Sequence, residues 1–176
     1  MNLHLGCGKH YLKGWVNADL KYGDVKIDLT KDFPWQTNTV DFIFNEHFIE
    51  HLTSEQQNNL LANCFRVLKK GGVIRICCPD IETLVKKYLN GTLCQDSWNR
   101  NKIVKTECEA INFAFYNYEV DRHRFMLDFN ELNRKLKAVG FTKVDRLTAN
   151  NTNFPIFKNI ETRDADGNSL AVEAVK

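Results

Sequence analysis

Apolar residues recur along this chain at two spacings. Short runs of strand length come first: "NLHL" at 2–5, "WVNADL" at 15–20, "DVKIDL" at 24–29 and "VDFIFN" at 40–45. Each is long enough for a buried or half-buried strand and too short for a stable helix. The period then changes. From Ser54 to Leu68 the apolar positions Leu60, Leu61, Cys64, Val67 and Leu68 fall at helical spacing, with Ser54 expected as the N-cap and Gly71-Gly72 as the stop. "GVIRICCPD", 72–80, predicts a further strand ended by Pro79, and "DIETLVKKYLNG", 80–91, a short helix. Phe129, Leu132, Leu136 and Val139 share one face of an amphipathic helix that Gly140 closes. "FTKVDRLT" and "NSLAVEAVK" are expected as closing strands, with "DADGN" before the last reading as a tight hairpin turn.

Strands alternating with helices predict an α/β fold: a Rossmann-like, doubly wound and mostly parallel sheet. The last two strands lack a clear helix between them, so an antiparallel strand near the C-terminus is expected. The 176 residues are read as a single domain. Residues from about 90 to 122, polar and aromatic by turns, carry the weakest pattern and are expected to form a lid or substrate insert.

Composition narrows the class. Hydrophobic content is 43% and charged content 26%, as in ordinary globular proteins. A formal charge of +2 gives no strong nucleic-acid signal. No apolar stretch approaches the roughly 20 residues that span a bilayer, so no membrane association is expected. "MNLHLGCG" has no basic and apolar leader pattern, so no signal peptide is expected. The six cysteines include no C-x-x-C pair, and Cys77 and Cys78 adjoin in an apolar run. They are read as buried thiols of a reduced, cytoplasmic protein.

A parallel sheet places ligands at the carboxyl ends of its strands. Gly6-Cys7-Gly8, Asp19, Asp28, Asn45-Glu46-His47 and Pro79-Asp80 are expected there. Two glycines allow a sharp turn and close backbone approach, and an acid at the end of the next strand can accept from ribose hydroxyls. The third glycine of a dinucleotide fingerprint is replaced by Tyr11, and Gly8 to Trp15 is too short for a first helix. A nicotinamide oxidoreductase is therefore disfavoured.

"LHLGCG", "WVNADL", "VDFIFNEHFIEHL", "CFRVLKKGGVIRICCPD" and "LKAVGF" resemble, in order, the motifs of small class I S-adenosylmethionine-dependent methyltransferases. The resemblance covers most of the chain and is weakest from 92 to 120. It implies S-adenosylmethionine as cofactor. Leu5, Gly6, Cys7 and Gly8 would cradle its methionine part, and Asp19 would hold the ribose hydroxyls. Leu20, Asp28 and Leu29 would lie about the adenine, and Asn45 and Glu46 would border the methionine and the methyl. The first crossover is abbreviated relative to the family, and the N-terminal cover usual in the family is not expected before the first strand, so residues 90–122 are the candidate cover.

His47-Phe48-Ile49-Glu50-His51 also spells H-x-x-E-H, the ligand pattern of inverted zinc hydrolases. A metal needs a third ligand, and nothing in the sequence singles one out. The match is read as coincidental and no metal is expected; Glu50 and His51 are expected to be scaffold. His47, an imidazole and so of the side-chain type suited to proton transfer near neutrality, and Glu46 are the candidate general bases. His47, His123 and Arg124 are candidate substrate contacts. The expected function is methyl transfer to an oxygen or nitrogen of a small-molecule or glycan-precursor acceptor. A non-catalytic cofactor-binding module acting with a partner is the alternative, and a zinc hydrolase using His47, Glu50 and His51 a further one.

Overall fold

The computed structural model describes residues 1–96, 99, 104–116, 122–164 and 166–176. Among them run β1 (Asn2–Leu5), β2 (Val16–Asp19), β3 (Val25–Lys26), β4 (Val40–Glu46), α1 (Ser54–Val67) and β5 (Leu68–Pro79). Then follow α2 (Ile81–Leu89), α3 (Glu107–Tyr116), α4 (Phe129–Val139), β6 (Lys143–Leu147) and β7 (Ser169–Val175). The strands form one sheet in the order β3-β2-β1-β4-β5-β7-β6. Only β7 runs against its neighbours, pairing antiparallel with both β5 and β6. This is the mostly parallel α/β sheet with a late antiparallel strand that the pattern predicts.

Local details differ from the pattern. The N-cap of α1 is Thr53, one residue before Ser54: its hydroxyl accepts from Gln56 N and its own N–H donates to Gln56 Oε1, a capping box. Gly71-Gly72 do not end the helix, because α1 passes directly into β5 at Leu68. They lie where the β4–β5 register shifts between the Val40–Leu68 and Phe42–Val73 pairs. A Cβ on Gly72 would stand 2.9 Å from Lys69 O and 3.0 Å from Asp41 O, so the bulge requires glycine. β3 pairs for two residues only; Asp28 turns the chain away by accepting from Thr30 N and Oγ1. "DADGN" is not a tight hairpin between β6 and β7, since residues 148–168 intervene and include a 3-10 turn at Pro155–Phe157.

The two faces of the sheet are covered differently. Leu3, Leu5, Ile43, Ile74, Ile76, Leu170 and Val172 point to one face, where Leu60, Leu61 and Cys64 of α1 and Leu132 and Leu136 of α4 complete the main core. Gly140, left-handed at φ 115, ends α4 against the ring of Phe65. On the opposite face Phe44 and Val73 meet Trp15 and Phe157, with Leu12, Phe42, Phe154 and Ile160 around them. Here the β1–β2 and β6–β7 connections provide cover. A third cluster joins Leu84 of α2, Leu93, Val104 and Ala110 of α3. The expected 90–122 insert thus packs on α2 where it is described; residues 97–98, 100–103 and 117–121 lie outside the described residues.

Candidate cofactor and acceptor site

The carboxyl ends of β1, β2 and β4 converge on the glycine loop. Gly6 N and Cys7 N both donate to Ala18 O, at 2.8 and 3.3 Å, which ties the loop to the end of β2. Gly6 and Gly8 are left-handed, at φ 69 and 52. Their surroundings differ. A Cβ on Gly6 would fall 2.4 Å from Phe48 Cγ, whereas one on Gly8 would meet nothing within 4 Å. Gly6 is thus demanded by packing, and Gly8 borders open space. Burial, with Asp19 and Asp24 nearby, pushes the Cys7 thiol up to about 11, which leaves it protonated and poorly nucleophilic.

Asp19 closes the loop from β2. Its Oδ2 accepts from Gly8 N at 3.1 Å, and Oδ1 accepts from Lys21 N at 2.8 Å and Tyr22 N at 3.1 Å. Three backbone donors fix the carboxylate and leave acceptor capacity on Oδ2. Leu20, beside it, is 65% exposed. Asn45 stands opposite Leu5 in the β1–β4 ladder and donates from Nδ2 to Leu5 O at 3.0 Å. Its Oδ1 is buried with no hydrogen-bond partner. Leu5 and Leu29 have buried side chains in the main core and support this region from below. Asp28 is committed to Thr30, whose hydroxyl and amide hold its carboxyl below the usual range.

Glu46 is engaged on both oxygens. It accepts from Thr162 N at 2.7 Å, Thr162 Oγ1 at 3.0 Å and Arg163 N at 3.0 Å. It therefore clamps the 162–163 segment to the end of β4, with His10 Nδ1 at 3.9 Å. The partnership with Thr162 spans 116 residues, beyond the reach of any local motif. His47 follows in the left-handed region at φ 49, an uncommon conformation for a side-chain-bearing residue. Its Nε2 lies 3.2 Å from Ser169 Oγ and its Nδ1 3.4 Å from Glu50 Oε1. His123 stacks near His51, ring centroids 4.9 Å apart. Arg124 brings its backbone N–H to Glu50 O at 2.8 Å and leaves its side chain exposed. The structure thus gathers Gly6, Cys7, Gly8, Asp19 and Asn45 into one cradle, and His47 and His123 into a second group around Glu50. Sequence reasoning missed His10, Thr162 and Ser169; only His10, next to the glycine loop, carried a local signal.

A methyltransferase-domain family model matches residues 9–76. Among solved structures, a Thermotoga maritima S-adenosylmethionine-dependent methyltransferase, described as a possible histamine N-methyltransferase, aligns with TM-score 0.61 and 14% identity, over 99% of this chain and 81% of its own. An Archaeoglobus fulgidus S-adenosylmethionine-dependent methyltransferase aligns with TM-score 0.56 and 18% identity, over 99% and 85%. The 1,6-didemethyltoxoflavin-N1-methyltransferase of Burkholderia thailandensis, with its acceptor and S-adenosylhomocysteine bound, gives TM-score 0.59 and 14% identity, over 99% and 70%. The fold of this chain is that of these S-adenosylmethionine-dependent methyltransferase structures, and the methyltransferase-domain model covers 68 of its 176 residues. No curated protein matches it. In this chain the glycine loop leads into β2 without a helix, and the second face of the sheet is roofed by aromatic connections. No described helix is long and apolar enough to cross a membrane.

Proposed function

We propose that this chain transfers a methyl group from S-adenosylmethionine to an oxygen or nitrogen of a small acceptor, a free small molecule or a glycan precursor. The observation that carries the reading is the cradle at the strand ends. Gly8 faces open space, Asp19 keeps acceptor capacity after fixing the loop, and Asn45 Oδ1 is a buried acceptor without a donor. A buried unpaired acceptor is costly, and the ammonium of a methionine moiety would satisfy it. Asp19 Oδ2 would accept from a ribose hydroxyl, and the exposed Leu20 side chain would lie against the adenine.

S-adenosylmethionine supplies its methyl on a sulfonium, already an activated leaving group. The protein's task is then to hold the acceptor in line at near-attack distance and to exclude water. Glu46 would act through position, holding the 162–163 segment beside the crevice. His47 is the better-placed proton acceptor, since its Nε2 lies beside the Ser169 hydroxyl while both oxygens of Glu46 are engaged by the 162–163 segment. The insert, anchored by the α2–α3 cluster and by His123, would serve as the lid.

Calorimetric titration of S-adenosylhomocysteine into wild type and Asp19→Ala tests the cradle. Loss of a hydrogen bond to a charged acceptor is worth about 1.5–3 kcal/mol, so affinity should fall by roughly 10–100-fold. Unchanged affinity would remove Asp19 from the site. Transfer of labelled methyl to a panel of hydroxyl and amine acceptors tests turnover; tight binding with no transfer to any of them would favour a cofactor-binding module.

A further inference from the structure

We propose that Glu50, His51 and His123, with His47 beside them, bind a divalent transition-metal ion of the zinc class. One ligand atom from each of Glu50, His51 and His123 lies within 4.8 Å of the others. The sequence motif supplied two of these residues; the fold supplies the missing third ligand. His123 reaches the group because the segment after the insert is tied down, with Arg124 N and Phe125 N both donating to Glu50 O.

The state of Glu50 is the independent sign of a ligand. Its side chain is 1% exposed, and neither carboxylate oxygen has a hydrogen-bond partner of good geometry among the described residues. The other buried acids are treated differently. Glu46 accepts three hydrogen bonds, Asp80 takes Glu82 N, Thr83 Oγ1 and Arg146, and Glu161 and Glu173 share Arg75. A buried carboxylate without hydrogen-bond donors is costly unless a cation stands beside it, and against the upward push of burial His47 and His51 pull the Glu50 carboxyl below its usual range. Among the described residues His47 Nδ1 stands at 3.4 Å and His51 Nε2 at 4.0 Å, each a charge partner only when protonated, and the buried Cys78 thiol is near enough to feel the carboxylate's charge. His51 Nδ1 is also buried and unpartnered.

The imidazoles are arranged as ligands. His123 Nδ1 lies 2.6 Å from Ala114 O, so Nδ1 carries the proton and Nε2 keeps its lone pair. A backbone carbonyl behind the far nitrogen is the usual support of a metal-bound histidine. Imidazole nitrogens with one carboxylate suit zinc and its neighbours rather than calcium or magnesium. Bonds of about 2.0–2.1 Å place tetrahedral ligands roughly 3.4 Å apart, so atoms now within 4.8 Å of one another must draw in by up to about 1.4 Å. His51, His123 and His47 are partly exposed, which leaves a path for entry. Phe48, between His47 and Ile49, packs over Gly6, so the site adjoins the glycine loop.

The test is metal binding itself and does not depend on methyl transfer. Chelator-treated, dialysed protein is titrated with Co(II), followed by visible absorption, and with Zn(II), followed by calorimetry and thermal melting. One ion per chain is expected, with the visible bands of a low-coordinate cobalt site and no sulfur-to-cobalt charge transfer from any cysteine, the buried Cys78 near Glu50 included. Zn(II) should raise the melting temperature. His123→Ala and Glu50→Gln should weaken binding by at least the roughly 10–100-fold that supporting residues are worth and abolish the zinc-dependent rise. Circular dichroism of each metal-free variant checks folding, and His123→Ala, partly exposed, keeps the test open if Glu50→Gln fails to fold. Wild type that takes up no stoichiometric metal, charge transfer from sulfur, or variants that bind as wild type would each overturn the proposal.

Discussion

Arg75→Met offers the sharpest test of what stabilises the second face of the sheet. Arg75 is fully buried in β5. Its Nε donates to Glu161 Oε1 at 2.5 Å, Nη1 to Glu173 Oε1 at 2.8 Å and Nη2 to Thr148 O at 3.3 Å. Glu161 also accepts from the Cys77 thiol at 2.6 Å and from Asn150 N; Glu173 accepts from the Thr152 hydroxyl and, at 3.1 Å, from Asn153 N. One guanidinium therefore serves two carboxylates, each 1% exposed. Removing one member of a buried ion pair costs about 3–5 kcal/mol, because the partner's charge is left behind. At about 2–4 °C per kcal/mol for a chain of this size, the melting temperature should drop by roughly 6–20 °C. Urea unfolding and thermal melts of Arg75→Met measure this. Arg75→Met combined with Glu161→Gln and Glu173→Gln removes the stranded charges and should recover at least half of the loss. Two results would refute the reasoning: Arg75→Met within about 1 kcal/mol of wild type, or a triple variant no more stable than the single one.

The glycine loop makes a paired prediction. Gly6→Ala drives a Cβ into the Phe48 ring and should destabilise the fold, whereas Gly8→Ala meets no neighbour and should cost only about 1–2 kcal/mol of left-handed backbone strain while weakening S-adenosylhomocysteine binding; equal melting temperatures for the two would contradict it. The imidazole of His4 gives a pH signature. Burial lowers its pKa from 6.5 to about 4. Between these values the unfolded chain binds a proton that the folded chain refuses. Stability is therefore fully present above pH 6.5 and declines as pH falls toward 4, by up to about 3 kcal/mol. Urea unfolding at several pH values, compared with His4→Phe, isolates this slope, and identical slopes would rule it out.

What the sequence disclosed was set by the range of each interaction. β1, β2, β4 and α4 announce themselves through local periodicity, and Gly140 through its cap. The capping box of α1 was present in the sequence as Thr53-x-x-Gln56, but the adjacent Ser54 offered the same hydroxyl. Val25 and Ile27 alternate as a strand should, yet pairing stops at Lys26 because Thr30 captures Asp28. An arginine inside "GVIRICCPD" was a signal of a buried ion pair, but its acids lie 86 and 98 residues away. The same limit applied to Glu50. Its motif partners are three and one residues distant, while His123 arrives from beyond the insert. The glycine loop, Asp19 and Asn45 could be nominated because ligand sites in parallel sheets gather at strand ends; the partners of Glu46 could not, because Thr162 and Arg163 reach it from the far end of the chain.

The strand order also governs assembly. β6 joins the sheet through β7, and β7 is the later of the two in the chain. β1 to β5 can therefore pair while β6 still lacks a seat, and Arg75 meets Glu173 only when β7 inserts. That insertion slots a strand between β5 and β6 and lays the Phe154 and Phe157 rings over Phe42, so the closing step is long in range and slow by topology. Until then β5 presents an open edge bearing a buried-type arginine and two thiols. In a crowded cell, that interval is when this chain most needs protection from pairing with a neighbour.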